Sequence, residues 1–253
     1  MPQGSEQADA VAARLRDILA AAEGEVRRLL LKMETRPGEA TLAATQNNQA
    51  VVSQIRRRIA SLGGLITEEA AKASAAAATG ESRRLGITME PDVLRVLDAI
   101  TEDRIKEISA TWAAAADEVA RAARVATTSG ADLSRLIDDV QLKLGGARAG
   151  SLSAVDSMTM AAGRQITILD AEMSGEDMVY AYGGPVDAIT RLFCREHHSR
   201  LTSQVYTVEA LDRLSNPGQP TPVSVYLGGF NCRHNLQPMT RAMAIDRGYR
   251  VVE

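Results

Sequence analysis

Aromatic residues are scarce in this chain of 253 residues: one Trp, two Phe and five Tyr, 3% of the total. A core must therefore be filled mainly by Leu, Ile, Val, Met and a great deal of Ala, which is the composition of close-packed helices. Cysteine is scarcer still, at two, and this excludes the disulfide framework of a small secreted domain. No apolar run approaches the ~20 residues needed to cross a bilayer. The N-terminal MPQGSEQADA has no basic region followed by an apolar stretch, so a soluble chain made in a cytoplasm, with no membrane association, is expected. A basic surplus is missing too. With 29 Lys+Arg against 32 Asp+Glu the net charge is -3, which removes the simplest argument for a nucleic-acid binder. Neither a Gly-x4-Gly-Lys-Ser/Thr phosphate loop nor a Gly-x-Gly-x2-Gly dinucleotide turn occurs.

The few aromatics are unevenly placed. Trp112 is the only one before Tyr180, and five of the eight prolines also lie beyond residue 178. Residues 179–253 hold eight Arg, no Lys and six Asp+Glu, a net charge of +2 against -5 for the rest. These shifts predict a mainly α chain with two domains. An extended helical assembly domain spans 1–178, and a small α+β module carrying the Cys and His residues spans 179–253.

Apolar residues in steps of three and four mark the helices of the first part. The first helix has Ser5 as N-cap and Val11, Leu15, Ile18, Ala22, Val26, Leu29 and Met33 on its buried face, and Arg36-Pro37-Gly38 stops it. A second helix runs from about Glu39 to Leu62, where Gly63-Gly64 breaks it. Its polar middle, Thr45 to Gln49, is expected to be exposed or paired with another chain. An Ala-rich third helix follows from Thr67 to Ala78. Pro91 opens a long fourth helix that ends at Thr128-Ser129-Gly130. A fifth runs from about Asp132 to Leu144 before Gly145-Gly146, and a sixth from about Ser153 to Met173. In the last third, Thr207 is the expected N-cap of a helix through Leu214, and Val223 to Leu227 reads as a short strand.

All three histidines and both cysteines fall between Cys194 and His234. Cys194, His197, Cys232 and His234 are the ligand types of a structural zinc site. Two other readings stand beside that one. A Cys194–Cys232 disulfide would contribute roughly 4 kcal/mol on the chain-entropy model. Alternatively, both thiols are simply buried beside hydrogen-bonded histidines. Cofactors are accordingly none or a structural Zn. A catalytic reading is also available, with His198, Asn231 and His234 imitating a histidine-asparagine-histidine nuclease, but no acidic metal ligand stands close to the second motif.

The segment from about 180 to 240 resembles the head-morphogenesis, or minor head, proteins of tailed bacteriophages. The resemblance rests on Tyr182, Gly184, Pro185, Asp187, Thr190, Arg191, Phe193 and Cys194, then Val205-Tyr206-Thr207, then Gly228-Gly229, Asn231-Cys232-Arg233-His234 and Pro238. Ser203-Gln204 stands where such modules commonly have Gly-Lys, Gly183 is extra, and His197 and His198 lie outside the pattern. The resemblance implies a non-enzymatic structural protein of the virion, placed at or near the portal vertex and assembled in the bacterial host. Its partners would be portal or capsid proteins and further copies of itself, with DNA contact left open. The alternatives are a neck adaptor or internal ejected protein and, from another class, a metal-dependent nuclease or toxin-like enzyme.

Physical chemistry gives the same residues structural work. Asp187 can accept backbone N–H bonds in the turn that Gly184-Pro185 opens, with Thr190 orienting the segment after it. Arg191 and Arg233 can pair with Asp187 or Glu196. Gly228-Gly229 lets the chain turn back so that Cys232 approaches Cys194.

Overall fold

The computed structural model describes residues 3–35, 41–86, 88–89 and 91–253. About 70% of the chain is helical, with four long helices followed by a small module built on a four-stranded sheet, which is the fold class expected. The long helices are α1 (Gln3–Leu30), α2 (Gln46–Leu85), α3 (Pro91–Ser129) and α4 (Leu133–Met173). Their residues belong to two compact units. One contains Ala10–Lys72 and Asp103–Leu152; the other contains Ala73–Glu102 and Ser153–Glu253 with the first residues of α1.

Six expected helices are four because two glycine pairs do not break the chain. In α2 the buried stripe Ile55, Ile59, Leu62, Ile66, Ala70, Ala73 passes Gly63-Gly64 without losing its helical register. In α4 the stripe Leu136, Val140, Leu144, Ala147, Ser151 does the same across Gly145-Gly146. A helical glycine costs about 1 kcal/mol relative to Ala, and a continuous apolar face offsets that cost. Gly63 also has a positive use, since an added Cβ there would sit 3.2 Å from Trp112 Cβ. Trp112, the one large aromatic of the helical part, is buried at that contact and donates its indole N–H to Ser151 Oγ at 2.7 Å.

Helix starts follow the caps. Asp132 Oδ1 accepts from Ser134 N at the head of α4, and Thr45 Oγ1 accepts from Asn48 N at the head of α2. The polar segment Thr45 to Gln49 is only partly exposed. Asn48 is fully buried, donating to the carbonyls of Glu34 and Ala43 and accepting from Glu34 N at 2.7 Å, so it ties α2 to the chain before it. Ser5, expected as an N-cap, lies inside α1, while Arg36-Pro37-Gly38 and Glu39 lie outside the described residues. Leu94 and Val125, apolar residues of α3, are exposed.

The sheet contains β1 (Met178–Gly183), β2 (Gln204–Tyr206), β3 (Asn235–Thr240) and β4 (Arg250–Val252) in the order β3-β1-β2-β4. The β1 strand is central and buried on both faces. Tyr180 and Tyr182 face a cluster with Ile168 and Ala171 of α4, and Val179 and Ala181 face Val205, Met239 and Ala244. Period-two alternation sends the two sets to opposite faces. The strand β3 pairs antiparallel with β1, which sets Tyr182 opposite Leu236, and Pro238 fits because β3 is an edge. Five short helices fill the connections: α5 (Leu192–His197), α6 (Ser199–Thr202), α7 (Val208–Asp212), α8 (Val223–Tyr226) and α9 (Arg241–Asp246).

Thr207 caps α7 as expected, accepting from Ala210 N at 3.1 Å. Val223 to Tyr226 is not a strand but the helix α8. All four of its residues are buried, so no alternation marks it, and Asp212 Oδ1 accepts from Ser224 N in its first turn.

Candidate metal centre

Cys194 sits in α5, Cys232 and His234 lie in the approach to β3, and Tyr182 projects from β1; all four are buried. The chain reaches this arrangement through a tight reversal at Leu227 to Asn231. Gly228 is obligatory there, since a Cβ would overlap Cys194 Sγ and stand 3.1 Å from Cys232 Sγ. Gly184 has a similar reason: its φ is +147°, and a Cβ would lie 2.8 Å from His234 Cδ2.

The two sulfurs are 3.9 Å apart, both as free thiols, and Cys232 Sγ is 3.6 Å from His234 Nδ1. One ligand atom from each of Cys194, Cys232 and His234 falls within a 4.8 Å cluster. Zinc bonded at about 2.3 Å to sulfur and 2.0–2.1 Å to nitrogen in a tetrahedron separates sulfurs by about 3.8 Å and sulfur from nitrogen by about 3.6 Å. The residues present therefore fit a metal ion.

Electrostatics favours charge on one sulfur. Cys232 accepts from the Cys194 thiol, which holds it well below the usual thiol range, and His234 and the Arg164 charge act in the same direction. That hydrogen bond, with burial, pushes Cys194 up. Burial likewise raises Tyr182, whose hydroxyl donates to Cys194 Sγ at 3.4 Å and lies 4.0 Å from Cys232 Sγ. Gly228 N–H donates to Cys232 Sγ at 3.3 Å. The Nε2 of His234 has no hydrogen-bond partner among the described residues.

Arg164, in α4, is the residue that sequence reasoning missed. Its buried guanidinium donates to the carbonyls of Val225, Cys232 and His234, so it grips the backbone that presents two of the cluster's atoms. Among the described residues no carboxylate pairs with it, and desolvation lowers its pKa. The available signal is a single charge, Arg164, in the otherwise uncharged segment Met158 to Leu169.

The remaining motif residues bond to one another or to nearby backbone. Asp187 Oδ1 accepts from Ile189 N and Thr190 Oγ1, and its carboxylate pairs with Arg233 at 2.8 Å. Thr190 also donates to the Pro185 carbonyl. Arg191 donates to the carbonyls of Gly228 and Phe230, not to a carboxylate. Asn231 N donates to Ser157 Oγ, and its side-chain amide to Ser153 Oγ. A Cβ on Gly229, at φ +90°, would overlap Gln219.

His197 is not brought into the cluster. Its Nδ1 is 3.3 Å from Tyr206 Oη, its ring packs on Phe193, and burial lowers its pKa. The neighbouring His198 is closer, 5.8 Å from the His234 ring, but both its nitrogens are engaged: Nδ1 accepts from Arg200 N and Nε2 lies 3.1 Å from Gly184 O. Among the described residues no helix is long and apolar enough to cross a membrane. Comparison with protein-family models, curated proteins and solved structures finds no match to this chain.

Proposed function

We propose that this chain is a structural component of a tailed-phage particle, a minor head protein at or near the portal vertex, with a C-terminal module clasped by a structural zinc. The observation that carries this reading is how the motif's polar groups are used. Asp187 with Arg233, Thr190 with Pro185, and Arg191 with Gly228 and Phe230 hold the module's own loops together. Residues that work as a brace suit a part that must keep its shape under load, and they suit the resemblance those same residues carry. The long helices supply surface for partners. Leu142 is 77% exposed, Val125 59% and Leu31 58%. The contacts proposed with neighbouring copies, portal or capsid proteins come from the resemblance, and these exposed side chains are compatible with them.

Two measurements on the purified full chain test the reading. Light scattering is expected to show self-association or binding to a purified portal ring, and a monomer that ignores the ring contradicts it. Incubation with single- and double-stranded DNA in magnesium, manganese or zinc is expected to leave the DNA intact. Cleavage that disappears in His198→Ala or His234→Ala would transfer the protein to the metal-dependent nucleases.

A further inference from the structure

We infer that the oxygen of Tyr182 is the fourth ligand of the zinc centre, bound as phenolate beside the two thiolates, their protons passing to solvent as zinc enters, which closes the coordination shell as Cys194, Cys232, His234 and Tyr182. The inference rests on the proposed zinc clasp and decides its kind. A structural zinc site has four protein ligands, whereas a catalytic one keeps a position for water or substrate.

The geometry points to Tyr182 on the same grounds as to the other three. In a tetrahedral site an oxygen ligand at about 2.0 Å stands about 3.5 Å from each sulfur. Tyr182 Oη is 3.4 Å from Cys194 Sγ and 4.0 Å from Cys232 Sγ. With the sulfur–sulfur distance of 3.9 Å and the sulfur–nitrogen distance of 3.6 Å, four edges of one tetrahedron lie within about half an ångström of their ideal lengths. Tyr182 is also held in place: it is fully buried, it lies on the central strand, and its N–H donates to Ser199 Oγ at 2.8 Å.

Other candidates for the fourth corner are already engaged. His198 has a partner at each ring nitrogen, His197 lies against Tyr206, and Asp187 is paired with Arg233. On the remaining side Gly228 presents only its backbone, and a Cβ there would crowd both sulfurs and stand 3.5 Å from Tyr182 Oη. The cluster is thus enclosed by chain where a hydrolytic zinc would need access.

The test uses full-length protein, stripped of metal and reloaded with zinc. Wild type is expected to take one zinc per chain. Tyr182→Phe is expected to bind zinc at least tenfold more weakly and to lose the phenolate difference spectrum that zinc loading produces in wild type, a signal that loss of a hydrogen bond to sulfur alone would not supply, while Tyr180→Phe, one tyrosine away on the same face of β1, matches wild type in both. Equal zinc affinity in Tyr182→Phe, or zinc loading of wild type without the phenolate spectrum, would overturn the fourth ligand and leave the zinc reading standing. A wild-type chain that takes no zinc would overturn the zinc reading itself. If Tyr182→Phe does not fold, the wild type alone decides: zinc addition gives the ultraviolet difference spectrum of one tyrosine ionised to phenolate if Tyr182 is a ligand, and leaves every tyrosine a phenol if it is not.

Discussion

Arg164 carries a charge into the interior of the C-terminal unit, and what it does there is bind backbone. Its planar fork reaches the carbonyls of Val225, Cys232 and His234 at once, which an ammonium on a flexible stem cannot do. Arg164→Lys is therefore expected to leave buried carbonyls unpaired and to cost about 2–5 kcal/mol. Urea unfolding followed by hydrogen exchange in residues 223–240 checks this, and an unchanged midpoint contradicts it. The centre that Arg164 supports is half legible in the sequence. Cys194, Cys232 and His234 stand out because the chain has so few soft ligands and keeps them in one window. His197 stands beside them in the sequence because spacing along the chain does not say which way a short helix turns its side chains, and α5 turns this one toward Phe193 and Tyr206. Tyr182 is legible as a motif residue but not as a neighbour of both sulfurs, since that depends on the pairing of β1 with β3.

Helix positions follow from apolar periodicity, and helix ends do not. Pro91, Asp132 and Thr207 mark starts that the structure keeps. The glycine pairs mislead because a glycine's cost is local while the burial that opposes it extends along a whole helix. The four glycines are not equivalent, and this gives a direct check. An added methyl at Gly64, Gly145 or Gly146 meets no atom within 4 Å, so substitution to Ala is expected to stabilise the chain by about 0.5–1 kcal/mol each. Gly63→Ala, which would crowd Trp112, is expected to give no such gain. Thermal unfolding of the four variants separates them, and a uniform response would show that the Trp112 contact is not what Gly63 serves. The helix α8 reads as a strand in the sequence because Val223-Ser224-Val225 alternates apolar and polar, a pattern too short to tell a strand from one helical turn whose residues are all buried.

At the scale of the whole molecule, the clearest feature is the self-bracing of the C-terminal module. The C-terminal unit holds its own motif loops together around the cluster of Cys194, Cys232 and His234. Exposed apolar side chains occur in both parts, Leu31, Val125 and Leu142 along the helical part and Ile189, Leu192 and Ile245 in the C-terminal module, so exposure alone does not choose between them as the contact surface. The proposal that the chain belongs to a phage particle rests on the resemblance of residues 180 to 240 together with this bracing of the motif loops. The most direct measurement of the proposed placement is a localised cryo-EM reconstruction, without imposed icosahedral symmetry, of particles purified from the source that encodes this chain. The four long helices and the C-terminal module are expected as density at the portal vertex; tailed particles that contain no copy of the chain, or a source that yields no such particles, would contradict the proposal.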